Sequence, residues 1–317
     1  MKLFITGING FIGQALTARL SETSHIISGS VRPGSSYDGF PMKDITHKKL
    51  LIDEDWTQSL NGLDVVIHTA ARAHIINEVV SNPLKEFQKI NVASTLNLAQ
   101  QAADAGVARF IFISSIGVNG NCNTVPFVEL DEPMPKEPYA ISKYQAEKGL
   151  LDISRNTGME ITIIRPPLVY GPGVKANFKS MIQWMNKGVP LPLGAINNKR
   201  SFVALDNLVD FIILCTEHHQ AANEIFLISD GEQVSTTELL KKVAKALGKK
   251  SLLVPVPIKI MILVAKLIGQ SVMSDRLFES LQIDSSKART LLGWKPVISM
   301  DEQLKKTVDA YLNEKII

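Results

Sequence analysis

The opening MKLFITGINGFIG runs an apolar stretch straight into a turn built on three glycines and then into helix-forming residues. No other feature constrains the fold as much. A strand from Lys2 to Thr6, a tight turn needing the backbone freedom of glycine, and helical spacing from Ile12 to Glu22 must follow one another without a linker. The rhythm then recurs. Apolar, β-branched runs at His25 to Val31, Asp64 to Thr69, Arg109 to Ser114 and Glu160 to Arg165 predict further strands, and helical spacing marks Pro83 to Ala105 and Tyr139 to Asn156. VVIHTA and FIFIS are apolar nearly throughout, which suits strands covered on both faces. The expected class is α/β, a doubly wound parallel sheet.

After Arg165 the pattern changes, with RPPLVYGPG, a second Pro and Gly cluster near Pro190 to Gly194, and VPVP ending at Pro257. A chain of 317 residues exceeds what one core usually holds, so a second, smaller and mostly helical domain is expected. The division expected is 1–168 with 200–230 in the first domain, and 169–199 with 231–317 in the second.

Apolar residues make up 45% and charged residues 21%, which removes support for disorder or coiled coil. A net charge of +3 is too small to argue for nucleic-acid binding. Cys122 and Cys215 lack CxxC or CxxH spacing, so neither a disulfide framework nor a zinc site is indicated, and a reducing cytoplasm is the expected compartment. The amino terminus has glycines where a signal peptide needs an unbroken apolar core, so export is not expected. Ile258 to Ile268, interrupted by Lys259 and Lys266, is too short to span a bilayer and is read as a buried or interface helix, with a membrane-surface anchor as the alternative.

Four local features bear on chemistry. Gly7-Ile8-Asn9-Gly10-Phe11-Ile12-Gly13 can face a pyrophosphate with backbone amides and a positive helix end, although any strand-to-helix turn also uses glycine. At the end of the second strand, where an acid would bind a ribose 2′-hydroxyl, the chain reads Ser30-Val31-Arg32-Pro33-Gly34-Ser35-Ser36. A guanidinium and hydroxyls suit a 2′-phosphate, so NADP is modestly favoured over NAD, against a solvated turn arginine. Tyr139 and Lys143 share a helix face behind Pro138, and a nearby ammonium favours the ionised phenol of a general base, although such a pair is also a common structural spacing. Ser114 and Ser115 end a strand at the carboxyl edge where open sheets bind ligands. Serines also simply end strands. His68 and His74 have no ligand cluster around them, so no metal is expected, and His68 is placed near a cofactor at its strand end.

GINGFIG, HTAAR (68–72), Asn91 in KINVAST, SSIGVNG, YAISK, RPPLVYGPG, RSFVALDNLVD and DSSKARTLLGWKP together resemble the extended short-chain dehydrogenase/reductase family along nearly the whole chain. The resemblance implies a Rossmann domain holding NAD(P), a smaller domain for a nucleotide-diphosphate sugar, and usually a homodimer packed through two helices per subunit. By motif position Tyr139 would be the catalytic base, Lys143 would hold the cofactor ribose and tune Tyr139, and Ser115 would contact the sugar hydroxyl. Cofactor contacts would come from Gly7, Asn9, Gly10, Phe11, Ile12, Gly13, Arg32, Ser35, Ser36, Thr69, Ala70, Ala71, Arg72, Asn91, Ser114 and Pro166. Asp53 in KKLLIDEDW matches an adenine-contacting aspartate, without the usual Gly-Asp pair. Asn177, Arg200 and Arg276 would meet the substrate.

The resemblance implies a nucleotide-sugar 4-epimerase acting on a UDP-hexose or UDP-N-acetylhexosamine through a transient 4-keto sugar, for surface polysaccharide. The runner-up is an NADPH-dependent UDP-4-keto-6-deoxy-hexosamine reductase. A non-catalytic NADP-sensing module is the reading from another class. The 4,6-dehydratases carry Thr-Asp-Glu where this chain has Ser115, Ile116 and Gly117, which disfavours dehydration, and Asn119 stands where the family commonly has tyrosine.

Overall fold

Alternating strands and helices dominate the first two thirds of the chain in the computed structural model, which describes residues 1–35, 37, 39, 42, 44–72, 82–267 and 277–314. In order they are β1 (Lys2–Thr6), α1 (Phe11–Leu20), β2 (Ile26–Val31), β3 (Asp44–His47), α2 (Thr57–Leu60), β4 (Val65–His68), α3 (Pro83–Phe87), α4 (Ser94–Asp104), β5 (Arg109–Ile113), α5 (Pro138–Thr157) and β6 (Glu160–Arg165). Then come β7 (Leu168–Tyr170), α6 (Ala176–Lys187), β8 (Arg200–Ala204), α7 (Leu205–Glu217), β9 (Ile225–Leu227), β10 (Gln233–Val234), α8 (Thr236–Ala246), α9 (Ile258–Leu267), α10 (Ser286–Leu292) and α11 (Met300–Asn313).

The central sheet has seven parallel strands in the order β3-β2-β1-β4-β5-β6-β9. Strand order reverses between β1 and β4, which places a crevice outside their carboxyl ends. Both faces are covered. Leu3, Ile5, Ile67, Ile111 and Ile164 lie in one core cluster with Leu16 of α1 and Leu208 and Phe211 of α7. Phe4, Val66, Phe110, Phe112 and Ile163 turn to the other face, against Leu98 of α4 and Ala146 and Leu150 of α5. Two-sided burial is why these strands carry apolar residues without alternation.

The expected helix over 83–105 is interrupted. Residues Gln88–Ala93 form a π turn between α3 and α4, an irregularity that tends to sit at functional sites. A second sheet has three strands in the order β10-β8-β7, packed in a core of its own with Tyr170, Phe178, Phe202, Leu240 and Leu304. The run RSFVA reads as one more central strand, but β8 pairs with β7 and β10, whereas α7 and β9 return to the large sheet. Among the described residues no helix is long and apolar enough to cross a membrane. In α9 the apolar run is split, with Met261 buried and Ile260 exposed.

Candidate active site

Because the central sheet is parallel, the loops after β1, β2, β4, β5 and β6 open on one edge. Gly7 turns the chain with φ +71°, and its amide and that of Ile8 donate to the Ser30 carbonyl, tying the glycine turn to the end of β2. A Cβ at Gly13 would lie 2.2 Å from the Gly7 oxygen. The turn is thus pulled against α1 as closely as backbone allows. Gly10 caps α1 with no side-chain hydrogen bond and no acid follows in the first turn, so the amides of Phe11, Ile12 and Gly13 leave the helix as a positive end facing the crevice. Asn9, Phe11 and Ile12 are half-buried around it. These are the features of a cradle for a pyrophosphate.

Arg32 is exposed just past β2, where Ser35 donates back to its carbonyl in a turn closed by Gly34. Ser36, His74 and Arg276 lie outside the described residues. Asp53 is exposed in a turn beyond β3, a strand the sequence reading missed. Thr69 donates through its hydroxyl to the Thr6 carbonyl, and the Ala70 amide donates to the Thr6 hydroxyl. Gly7 packs on Ala70. Half-buried Ala71 and Arg72 continue this loop, and Arg72 stacks its guanidinium over Phe87 at 5.9 Å.

Asn91, in the π turn, ties this loop to α5. Its Oδ1 accepts from the Arg72 amide at 2.8 Å, and its Nδ2 donates to the Arg72 carbonyl and to the Ser142 hydroxyl, both at 3.1 Å. All three bonds come from one buried amide, so Asn91 fixes the loop after β4 against the helix that carries Tyr139. His68 is the last residue of β4. It is buried in the sheet with Nδ1 bonded to the Thr6 hydroxyl and Nε2 to the Thr95 hydroxyl, and burial pulls its pKa down to about 3. It is a neutral core histidine. Among the described residues no cluster of His, Cys, Asp and Glu could hold a metal.

Ser115 lies two residues past β5 and opens a 3-10 turn, Ile116–Val118, by accepting from the Gly117 amide at 3.1 Å. The Pro166 carbonyl, past β6, accepts from the Ile116 amide. A Cβ on Gly117 would come 3.2 Å from Ala140 and 3.4 Å from the Ser115 hydroxyl, so this turn packs closely on the first turn of α5. Tyr139 is half-buried there with its ring edge against Phe87. Lys143 is buried and donates to the Ile113 carbonyl at 2.7 Å.

Burial pushes Tyr139 up to about 12 and pulls Lys143 down to about 7. The ammonium is 5.9 Å from the Tyr139 ring centre and 4.4 Å from that of Phe112, so desolvation outweighs attraction between the pair.

Sequence reasoning missed Glu147 and Arg165. Arg165 Nε and Nη2 donate to the two carboxylate oxygens of Glu147 at 3.0 and 2.6 Å, and Nη1 donates to Asn119 Oδ1 at 3.0 Å. The Ser114 hydroxyl also donates to Glu147. The Ser114 hydroxyl is thus turned into the interior. Asn119 likewise faces inward, donating to the Val128 carbonyl. Glu147 falls on the Tyr139 and Lys143 face of α5 at the next i+4 step, a signal the sequence carried, because a carboxylate on a buried stripe needs a cation.

Of the proposed substrate contacts, Arg200 begins β8, half-buried, and one of its bonds goes to the Glu279 carbonyl at 3.1 Å. Asn177 is exposed in the first turn of α6. The loop after Asn119 reaches the same region, where Asn123 exchanges hydrogen bonds with the Gln282 backbone.

A UDP-glucose 4-epimerase of Vibrio cholerae is 44% identical over 98% of this chain and 95% of its own length. A GDP-6-deoxy-D-mannose reductase of Pseudomonas aeruginosa is 26% identical over 96% of this chain and 95% of its own. The UDP-glucose 4-epimerase of Thermotoga maritima, solved with UDP-glucose, superposes with a TM-score of 0.79 at 26% identity, covering 100% of both chains. Residues 3–229 match the family described as the NAD dependent epimerase/dehydratase family. Glycine turn, seven-stranded sheet and the sequence match along most of the chain agree, and the chain belongs to the NAD-dependent epimerase/dehydratase family.

Proposed function

We propose that the chain is an NAD(P)-dependent 4-epimerase of a UDP-hexose or UDP-N-acetylhexosamine. The observation that carries this reading is the 44% identity to the Vibrio cholerae UDP-glucose 4-epimerase over 98% of the chain, in a protein that keeps Ser115, Tyr139 and Lys143 at one sheet edge. The glycine turn fits a dinucleotide, because Gly13 lets the turn close on α1 where a Cβ would meet the Gly7 oxygen, and the capless end of α1 offers amides to phosphate. When bound, the oxidised cofactor would supply a reversible hydride acceptor for the sugar C4.

Tyr139 takes the proton of the 4-hydroxyl and returns it once the keto sugar has turned over. Ser115, free to donate because its oxygen already accepts from Gly117, orients the same sugar oxygen. Lys143 holds the cofactor ribose. Arg200 meets the diphosphate with its planar fork, and Asn177 closes on the sugar side. Labour divides along the two sheets, with the cofactor on the seven-stranded sheet and the nucleotide sugar against the three-stranded one. Arg32 and Ser35 support a preference for NADP over NAD. The enzyme works in a reducing compartment, where exposed Cys122 stays a thiol, and it functions as a homodimer, which a mass measurement in solution checks.

NMR of the protein with UDP-glucose or UDP-N-acetylglucosamine, oxidised cofactor in catalytic amount and no reductant, tests the reading. Formation of the galacto isomers without net cofactor change supports it. A second reading, reduction of a UDP-4-keto-6-deoxy-hexosamine, rests on Arg32 and on the 26% identity to a GDP-6-deoxy-D-mannose reductase. Stoichiometric NADPH consumption with that substrate, and inert UDP-glucose and UDP-N-acetylglucosamine, would replace the first reading by the second.

A further inference from the structure

Tyr139, Lys143 and Glu147 occupy i, i+4 and i+8 of α5 and so share one face. Glu147 and Arg165 are both 2% exposed at the side chain and bonded through both carboxylate oxygens. Around that pair four segments meet: α5, the end of β5 through Ser114, the end of β6 through Arg165 itself, and the loop after the 3-10 turn through Asn119. Ser115, the next residue after Ser114, opens that same turn. A buried ion pair is a weak source of stability, since apolar residues of similar volume do as well. Its location one helical turn behind Lys143 therefore calls for another role.

We propose that Glu147 is a positioning residue, held by Arg165 so that it locks the Ser114–Ser115 strand end to α5 and keeps a negative charge beside the Lys143 ammonium. The charged and titratable groups that surround Lys143 are Tyr139 and Glu147 on α5 and His68 on β4, with Arg165 on β6 behind Glu147. Phe112 and Ile113 of β5 are apolar, and His68 is neutral above pH 4 because burial holds it near 3. Glu147 is thus the group that opposes the effect of burial on Lys143.

The inference rests on the catalytic reading of Tyr139 and Lys143, but its first readout needs neither substrate nor cofactor. The Lys143 side-chain resonances, assigned by loss in Lys143→Arg, are titrated by NMR in the wild type, in Glu147→Gln, and in the double variant Glu147→Leu with Arg165→Met. The double variant leaves no unpaired buried charge and keeps the measurement open if Glu147→Gln fails to fold. In either folded variant the Lys143 midpoint falls by about one pH unit or more, and the alkaline limb of kcat moves down by the same amount. A Lys143 midpoint unchanged in a folded variant overturns the proposal. A wild type that turns over no nucleotide sugar, with the Lys143 midpoint still displaced in the variants, removes the epimerase reading and leaves the coupling between Glu147 and Lys143 standing.

Discussion

The Lys143 ammonium stands one helical turn from Tyr139, 5.9 Å from its ring centre, yet donates to the Ile113 carbonyl under β5. The pair is assembled without being poised. Burial holds the phenol near 12, so the protein alone keeps Tyr139 protonated at neutral pH.

Tyr139→Phe is therefore expected to lower kcat by roughly 10²- to 10⁴-fold and to change KM little, because only the transferred proton loses its acceptor. Turnover of UDP-glucose followed by NMR checks this. Unchanged turnover would exclude the phenol as base.

Lys143 also links stability to pH. Its folded pKa, about 7, lies below its ordinary 10.5. Between those values the unfolded chain holds a proton that the folded one lacks, so stability rises with pH across that window and the contribution is lost as pH falls toward 7. Thermal melts from pH 6.5 to 10.5 should show wild type gaining relative to Lys143→Met, by an amount on the order of a few kcal/mol. Parallel curves would contradict it.

Much of this was legible from the chain. Strands β1 and β6 coincide with their expected ends and β2, β4 and β5 differ by a residue, because two-sided burial forces apolar runs that few other structures need. Strand β3 escaped, since DITH is mostly exposed and carries no apolar run. The pairing of β8 with β7 and β10 escaped because an apolar pentamer does not say which sheet it joins. In the site, the residues that face the crevice had motif neighbours to mark them. Those that face inward did not, and partners distant in sequence, such as Glu147 with Arg165 and Asn119, are settled by packing alone.

Gly13 offers a steric test. An added Cβ would meet the Gly7 oxygen at 2.2 Å and the Ile8 Cα at 2.9 Å, both backbone atoms that have no rotamer to yield. Gly13→Ala should cost about 1–3 kcal/mol and weaken cofactor binding more than tenfold by opening the glycine turn. Denaturant melts and a cofactor titration measure the two effects. Full affinity in the variant would show that the turn does not cradle the phosphates.

The proposed preference for NADP is tested at Arg32. It stands exposed past β2, in a turn over residues 32–35 that itself contains no acid, and a guanidinium to phosphate bond contributes about 1.5–3 kcal/mol when charge-assisted. Arg32→Ala should thus weaken NADP binding by roughly 10- to 150-fold and leave NAD binding within about threefold, because NAD presents no phosphate there. Isothermal titration of both cofactors against both proteins gives the ratio directly. Equal losses for NAD and NADP would mean that Arg32 acts on the shared part of the dinucleotide, and an NAD preference in the wild type would exclude the 2′-phosphate role altogether.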